Sequence, residues 1–134
     1  MTTRFAAVAV GLALAVFVAS TAQTQTPAPA APPASTSIVV ASPTYKASYT
    51  GLLKAFLDWF STTDLDGIVT VPVMVGAGAA HALAVEVHLR PVLIEIGATV
   101  PTRGLYVLEA DLSRLDEVIG VWLEHAAPRL RSTP

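Results

Sequence analysis

From Ile38 onward the chain alternates short apolar runs with stretches of helical periodicity. Residues 38–42 (IVVAS) read as a short buried strand. Leu52, Leu53, Phe56, Leu57 and Phe60 recur at helical spacing and predict a helix over 51–60 with one apolar face. Residues 68–75 (IVTVPVMV) carry no charge on either face, the pattern of a strand buried on both sides in a parallel sheet. Residues 79–97 read as a longer helix, kinked at Pro91. Residues 104–108 (GLYVL) form a third strand. Asp111 is a suitable N-cap for a last helix through about Leu130, with Leu112, Leu115, Ile119 and Trp122 on one face.

Strands that alternate with helices imply right-handed crossovers: an α/β fold, βαβαβα, with a small parallel sheet and helices on both faces. Two features strain this picture. The strand at 38–42 has no evident neighbour on its outer side, and a fully apolar bare edge invites aggregation. Residues 1–37 cover it, a partner chain covers it, or the fold is incomplete. Pro72 sits mid-strand, where it removes a ladder donor, and predicts a bulge or distortion.

Composition divides the chain. Of 134 residues, enough for one small domain, 53% are hydrophobic and 13% charged. No charged residue lies between Arg4 and Lys46, and every carboxylate lies at or beyond Asp58. Residues 1–23 combine Arg4, an apolar run from Phe5 to Ala19 and small residues at Ser20 and Ala22, the layout of a secretory signal or membrane anchor. The apolar run is shorter than the ~20 residues of a spanning helix. The alternative is an alanine-rich extension with no selected role. Residues 24–37, with four prolines between Pro27 and Pro33, read as an extended linker. Residues 38–134 are the folded domain. A net charge of −2 gives no nucleic-acid footprint. The absence of cysteine excludes disulfides, thiolate metal sites and cysteine nucleophiles.

In open α/β sheets, ligands bind beyond the carboxyl ends of the strands. Two loops qualify: SPTYKASYTG (42–51) and GAGAAH (76–81). Each follows a strand and opens a helix, with small residues that let a ligand approach the main chain. The first adds a flat aromatic, Tyr45, and a cation, Lys46. These elements suit a planar, hydrogen-bonding ring gripped by one edge.

ASPTYKASYTGLLKAFLDWF resembles the NAD(P)H-dependent FMN reductases, in particular those that supply reduced flavin to sulfonate monooxygenases. The motif strand, Pro-x-Tyr-Lys-x-x-Tyr-x-Gly, Leu-Lys-x-x-Leu-Asp is matched at Pro43, Tyr45, Lys46, Tyr49, Gly51, Leu53, Lys54, Leu57 and Asp58. GIVTVPVMVGAGAAHALAVEVHLRPVLIEIGA is similar to the family's next strand, Gly-rich loop and helix, and Pro72 is itself a family feature. The resemblance runs from about Ile38 to Leu108. It implies a flavodoxin-like fold with FMN at the strand ends and NAD(P)H as reductant. It places Pro43, Thr44, Tyr45, Lys46, Gly76, Gly78, Ala79 and His81 at the flavin, with Lys46 or a loop amide near its N1 and O2. The second loop often carries Ser or Thr in the family; here it is Gly-Ala-Gly-Ala-Ala. A partner monooxygenase, a homo-oligomer and a cytoplasmic location are also implied, the signal-like start favouring export or anchoring instead. Nothing before Ile38 matches the family's Ser/Arg-rich phosphate loop, so the N-terminal half of the domain is expected to be lacking. The alternatives to an NAD(P)H:FMN oxidoreductase are a non-catalytic flavodoxin-like remnant and an exported interaction module.

No nucleophile–base–acid constellation is present, and a flavin reductase requires none, since the cofactor carries the chemistry. His81 and His88 lack the spacing and the third ligand of a metal site. Asp64 and Asp66 read as turn residues, Asp58 as a helix-end residue, Lys54 as a solvated or interface residue, and Trp59 and Trp122 as core or interface.

Overall fold

The computed structural model describes residues 17–18 and 37–133. The signal-like segment, apart from Phe17–Val18, and the linker up to residue 36 lie outside the described residues. Four strands form one sheet in the order β1 (Phe17–Val18), β2 (Ser37–Pro43), β3 (Val69–Gly76), β4 (Leu105–Leu108). β2, β3 and β4 are parallel, as the alternating pattern predicts. β1 pairs antiparallel with β2, Phe17 opposite Val39 and Val18 opposite Ile38. The outer edge of β2 is therefore met over two positions, in part as expected.

The uncharged β3 is central and buried on both faces over its first four residues. Pro72 makes no bulge there, contrary to expectation. The β2–β3 register runs one to one through it, with Val39, Val40 and Ala41 opposite Val71, Pro72 and Val73. The reason lies on the other side of β3. The Thr70 amide donates 2.8 Å to Thr99 O, so position 72, two residues on, aims its nitrogen the same way. Pairing with β4 starts only at Val73–Leu105. The missing donor faces a gap in the ladder and no bond is lost.

The helix α1 (Gly51–Leu57) is capped by Thr50, whose hydroxyl accepts from the Leu53 amide at 3.1 Å. It ends three residues earlier than the periodicity suggests, in a turn closed by the Trp59 and Phe60 amides. Leu53 and Leu57 are buried, whereas Leu52 and Phe56 are exposed, so the apolar stripe is wider than the face that packs. The expected single helix over 79–97 is three pieces: a 3₁₀ turn at Ala79–His81, a π-helical stretch at Val85–Leu89, and α2 (Arg90–Glu95). In a regular helix the ring of Pro91 would strike the carbonyl of residue 87. The widened π turn opens the backbone at that point, and Pro91 falls in the first turn of α2, where its missing amide costs nothing. Gly97, at φ 97°, ends α2, and a Cβ there would lie 2.5 Å from Asp66 Oδ1.

Asp111 does not cap the last helix. Residues Glu109–Arg114 form a 3₁₀ segment and α3 begins later (Leu115–Ser132), with Asp111 bonded instead to Arg114 at 2.9 Å. Leu112, placed on its inner face by the periodicity, is exposed. Ala126 is buried, and the Trp122 indole donates 3.0 Å to Arg103 O, tying α3 to the entry of β4.

Leu53, Leu57, Met74, Val85, Leu89, Leu93 and Ile96 form one core cluster, each such burial being worth about 1.5–3 kcal/mol. α1 and α2 thus share the Met74 face. Two right-handed crossovers stepping the same way across a sheet must place their helices on one side. On the opposite face, Val39 is 43% exposed and Ala41 is exposed.

A half-buried ion pair fixes β4. Glu86 pairs with Arg90 at 2.6 Å and accepts from the Gly104 amide at 2.6 Å, while Arg90 donates to the carbonyls of Val100 and Thr102. Burial opposes ionisation of Glu86, but the hydrogen bonds from Arg90 and Gly104 outweigh it and hold the carboxyl below its ordinary range.

Candidate functional site

The carboxyl ends of β2 and β3 lie side by side, and their loops meet. Pro43 ends β2 opposite Val75. The next amide, Thr44, donates 2.7 Å to Val75 O, extending the ladder by one bond. Ser42, almost fully buried, accepts from the Thr50 amide at 3.0 Å and so closes the base of the 42–51 loop. Inside that base the chain makes a tight hairpin. Tyr45 and Ser48 exchange both backbone hydrogen bonds, at 2.8 and 3.0 Å, around Lys46 and Ala47.

The second loop is shaped by contact. Gly76 is buried, and a Cβ there would lie 3.1 Å from Thr44 Cβ and inside the phenol of Tyr106. Only glycine lets the β3 end, Thr44 and Tyr106 share this space. The Tyr106 hydroxyl donates 2.9 Å to Gly78 O, and the His81 amide donates to the same carbonyl at 3.2 Å. A Cβ at Gly78 would meet nothing within 4 Å.

Of the residues singled out in the sequence, Pro43, Thr44, Gly76 and Gly78 come together here. Tyr45 (63% exposed), Lys46, Ala79 and His81 stand exposed on the rim, and their side chains make no hydrogen bond among the described residues. Three hydroxyl oxygens, those of Thr44, Thr70 and Thr102, are buried without a partner among the described residues, and of these Thr44 stands where the two loops meet. A buried hydroxyl without a partner calls for an explanation, and a ligand is one.

Two positioning residues carried no motif signal: Ser42 at the loop base and Tyr106 on β4. Tyr106 becomes visible only through the register that sets it opposite Met74. Away from these loops a cleft of about 620 Å³ opens between α3 and the start of β4, with Trp122, Arg103 and Arg129 in its wall. Among the described residues no group of three or more His, Asp or Glu side chains could hold a metal ion, and no helix is long and apolar enough to cross a membrane.

A parallel α/β sheet with two small-residue loops meeting at its carboxyl edge is a flavodoxin-like arrangement. The family model described as NADPH-dependent FMN reductase matches residues 33–112. The chain belongs to that family. It is 41% identical over 69 residues to an FMN reductase (NADPH) of Escherichia coli K12, an alignment that covers 52% of this chain and 36% of the relative. It is 35% identical over 79 residues to the NADH-dependent FMN reductase SfnF of Pseudomonas fluorescens Pf0-1, covering 57% of this chain and 41% of the relative. The apo crystal structure of the NADH:FMN oxidoreductase EMOB superposes with a TM-score of 0.64 at 35% identity, over 73% of this chain and 54% of that one. The chain spans about two-fifths of the length of the curated relatives it matches.

Proposed function

We propose that this protein binds FMN by its isoalloxazine edge between the 42–51 and 76–81 loops and reduces it with NAD(P)H. The observation that carries the reading is the unpartnered Thr44 hydroxyl, buried where the two loops touch at Gly76. An isoalloxazine edge alternates carbonyl acceptors with an N–H, which suits this set: a free hydroxyl at Thr44, main chain laid open by Gly78, and the Lys46 cation on the rim. Family membership and the names of the relatives support the same ligand.

When bound, the flavin supplies the redox chemistry by accepting a hydride from the nicotinamide. The chain's own part is to bind and orient. Thr44 offers a hydrogen bond to a ring-edge oxygen. Lys46 places positive charge where the reduced ring gathers negative charge. Tyr45, exposed on the rim, is placed to cover one edge of the ring. Tyr106 and Ser42 hold the two loops in position. No proton donor is required of the protein.

The reduced flavin passes to a partner oxygenase in this reading, and copies of the chain associate. The relatives named SfnF and the FMN reductases of Pseudomonas support the reductase step. A second reading, a non-catalytic docking module, draws on the exposed Val39 and Ala41 of β2. Titrating FMN with the purified protein and following NADPH oxidation with and without added FMN separates the two. Quenching of flavin fluorescence with flavin-dependent oxidation supports the reductase. No quenching overturns it.

A further inference from the structure

The hairpin in the first loop is built against the rules of local backbone preference. Its two central residues, Lys46 and Ala47, both have positive φ, 50° and 64°. They are the only non-glycine residues in that region among those described. Two consecutive positive φ values in a two-residue hairpin are the signature of a type I′ turn, which favours Asn-Gly or Asp-Gly. Lys-Ala is a poor pair for it, because each Cβ crowds the following carbonyl. Such strain persists where the surroundings over-determine the backbone, and it collects at ligand clamps.

The surroundings do over-determine it. On one side Thr44 N is bonded to Val75 O, and on the other Thr50 N is bonded to Ser42 Oγ while the Thr50 hydroxyl caps α1. The Tyr45–Ser48 pair of hydrogen bonds closes the turn itself. The chain from β2 to α1 is already joined by the Ser42–Thr50 bond, so the strained tip is not needed to connect them. What the tip does is project Tyr45 and Lys46, whose side chains have no hydrogen-bond partner among the described residues. A glycine at 47 would relax the turn but would also let it move.

We propose that Lys46–Ala47 is a strained, pre-organised clamp, in which the Cβ of Ala47 keeps the tip rigid so that Tyr45 and Lys46 meet the flavin ring without ordering cost. Ala47 is a positioning residue, acting through its two neighbours on the N-terminal side. The proposal rests on the reading that FMN binds at this loop. It makes stability and affinity move in opposite directions when the Cβ of residue 47 is removed, which a purely structural turn would not do.

The test compares the full chain with Ala47→Gly and Ala47→Asn, by thermal melting without ligand and by FMN fluorescence titration. Asparagine tolerates the left-handed region yet keeps a Cβ. Ala47→Gly is expected to melt higher, by roughly 4 °C, and to bind FMN about 3- to 10-fold more weakly. Ala47→Asn is expected to melt higher with affinity kept. Wild type that binds FMN alongside Ala47→Gly of equal affinity overturns the clamp and leaves the flavin site standing. So does an Ala47→Gly melting point at or below that of wild type. Wild type that binds no FMN overturns both.

Discussion

The hydroxyl of Tyr106 donates a 2.9 Å hydrogen bond to Gly78 O, and its ring occupies the space that a side chain at Gly76 would need. A residue from the last strand thereby sets the shape of a loop that follows the previous one. The arrangement works because β3 and β4 pair with Met74 opposite Tyr106, which brings the phenol across the Gly-rich loop.

Tyr106→Phe removes this bond and leaves the ring in place. The fold is expected to lose about 1 kcal/mol, since Gly78 O keeps the His81 amide. The freed loop is expected to bind FMN several-fold more weakly. Fluorescence titration beside a melting curve checks both; unchanged affinity would show that Tyr106 does not shape the site.

Gly76→Ala is the harsher change. Its methyl collides with the Tyr106 phenol and crowds Thr44. Overpacking of this kind costs about 1–3 kcal/mol, and here the displaced groups are those of the site. A drop in melting temperature together with loss of measurable FMN binding is the expected outcome. Gly78→Ala, with open space around its Cβ, is the control that keeps stability near wild type.

The ion pair between Glu86 and Arg90 makes a separable prediction about pH. The folded pKa of Glu86 is lowered from its ordinary 4.5. Its stabilisation is therefore fully present above the unfolded value and is lost as pH falls through the folded one. Melting curves from pH 7 down to the acid limb should show a shallower loss for Glu86→Gln than for wild type. Parallel curves would mean the carboxylate is not held by its partners. Arg90→Ala leaves two carbonyls and a half-buried carboxylate without their donor. It is expected to cost about 2–3 kcal/mol at neutral pH.

The parallel sheet and its two strand-end loops were legible because β3 has the uncharged pattern of a strand buried on both sides, whereas the shared face of α1 and α2 was not, since helices were expected on both faces. Other features had no local signal. Pro72 reads as a defect until the neighbouring strand is seen to begin one residue later. The π turn at Val85–Leu89 is a response to Pro91 that periodicity, which counts only apolar positions, does not register. The start of α3 was misplaced because Asp111 has good capping chemistry but is engaged by Arg114. At the candidate site, the small residues Gly76 and Gly78 were singled out by their place after a strand, and Thr44 only through the family resemblance. Tyr106 and the strained turn at Lys46–Ala47 were not, since one depends on strand register and the other defies the residue preferences by which turns are recognised.

Ser42→Ala isolates the loop base. The Thr50 amide loses its acceptor, at a cost of about 1–3 kcal/mol for a buried donor left unpaired. Hydrogen exchange at Thr50 is expected to accelerate while exchange in β3 stays slow. Equal acceleration in β3 would mean the whole sheet depends on this bond.

The most direct measurement is an FMN titration of Thr44→Val. Valine keeps the shape of threonine and removes, of the three hydroxyls buried without a partner among the described residues, the one that stands at the loop junction. The ligand-free protein is expected to be as stable as wild type or more so, since no protein hydrogen bond is lost. FMN should bind about 5- to 10-fold more weakly, the equivalent of one net hydrogen bond. Equal FMN affinity in Thr44→Val and wild type would contradict a flavin held at this loop junction.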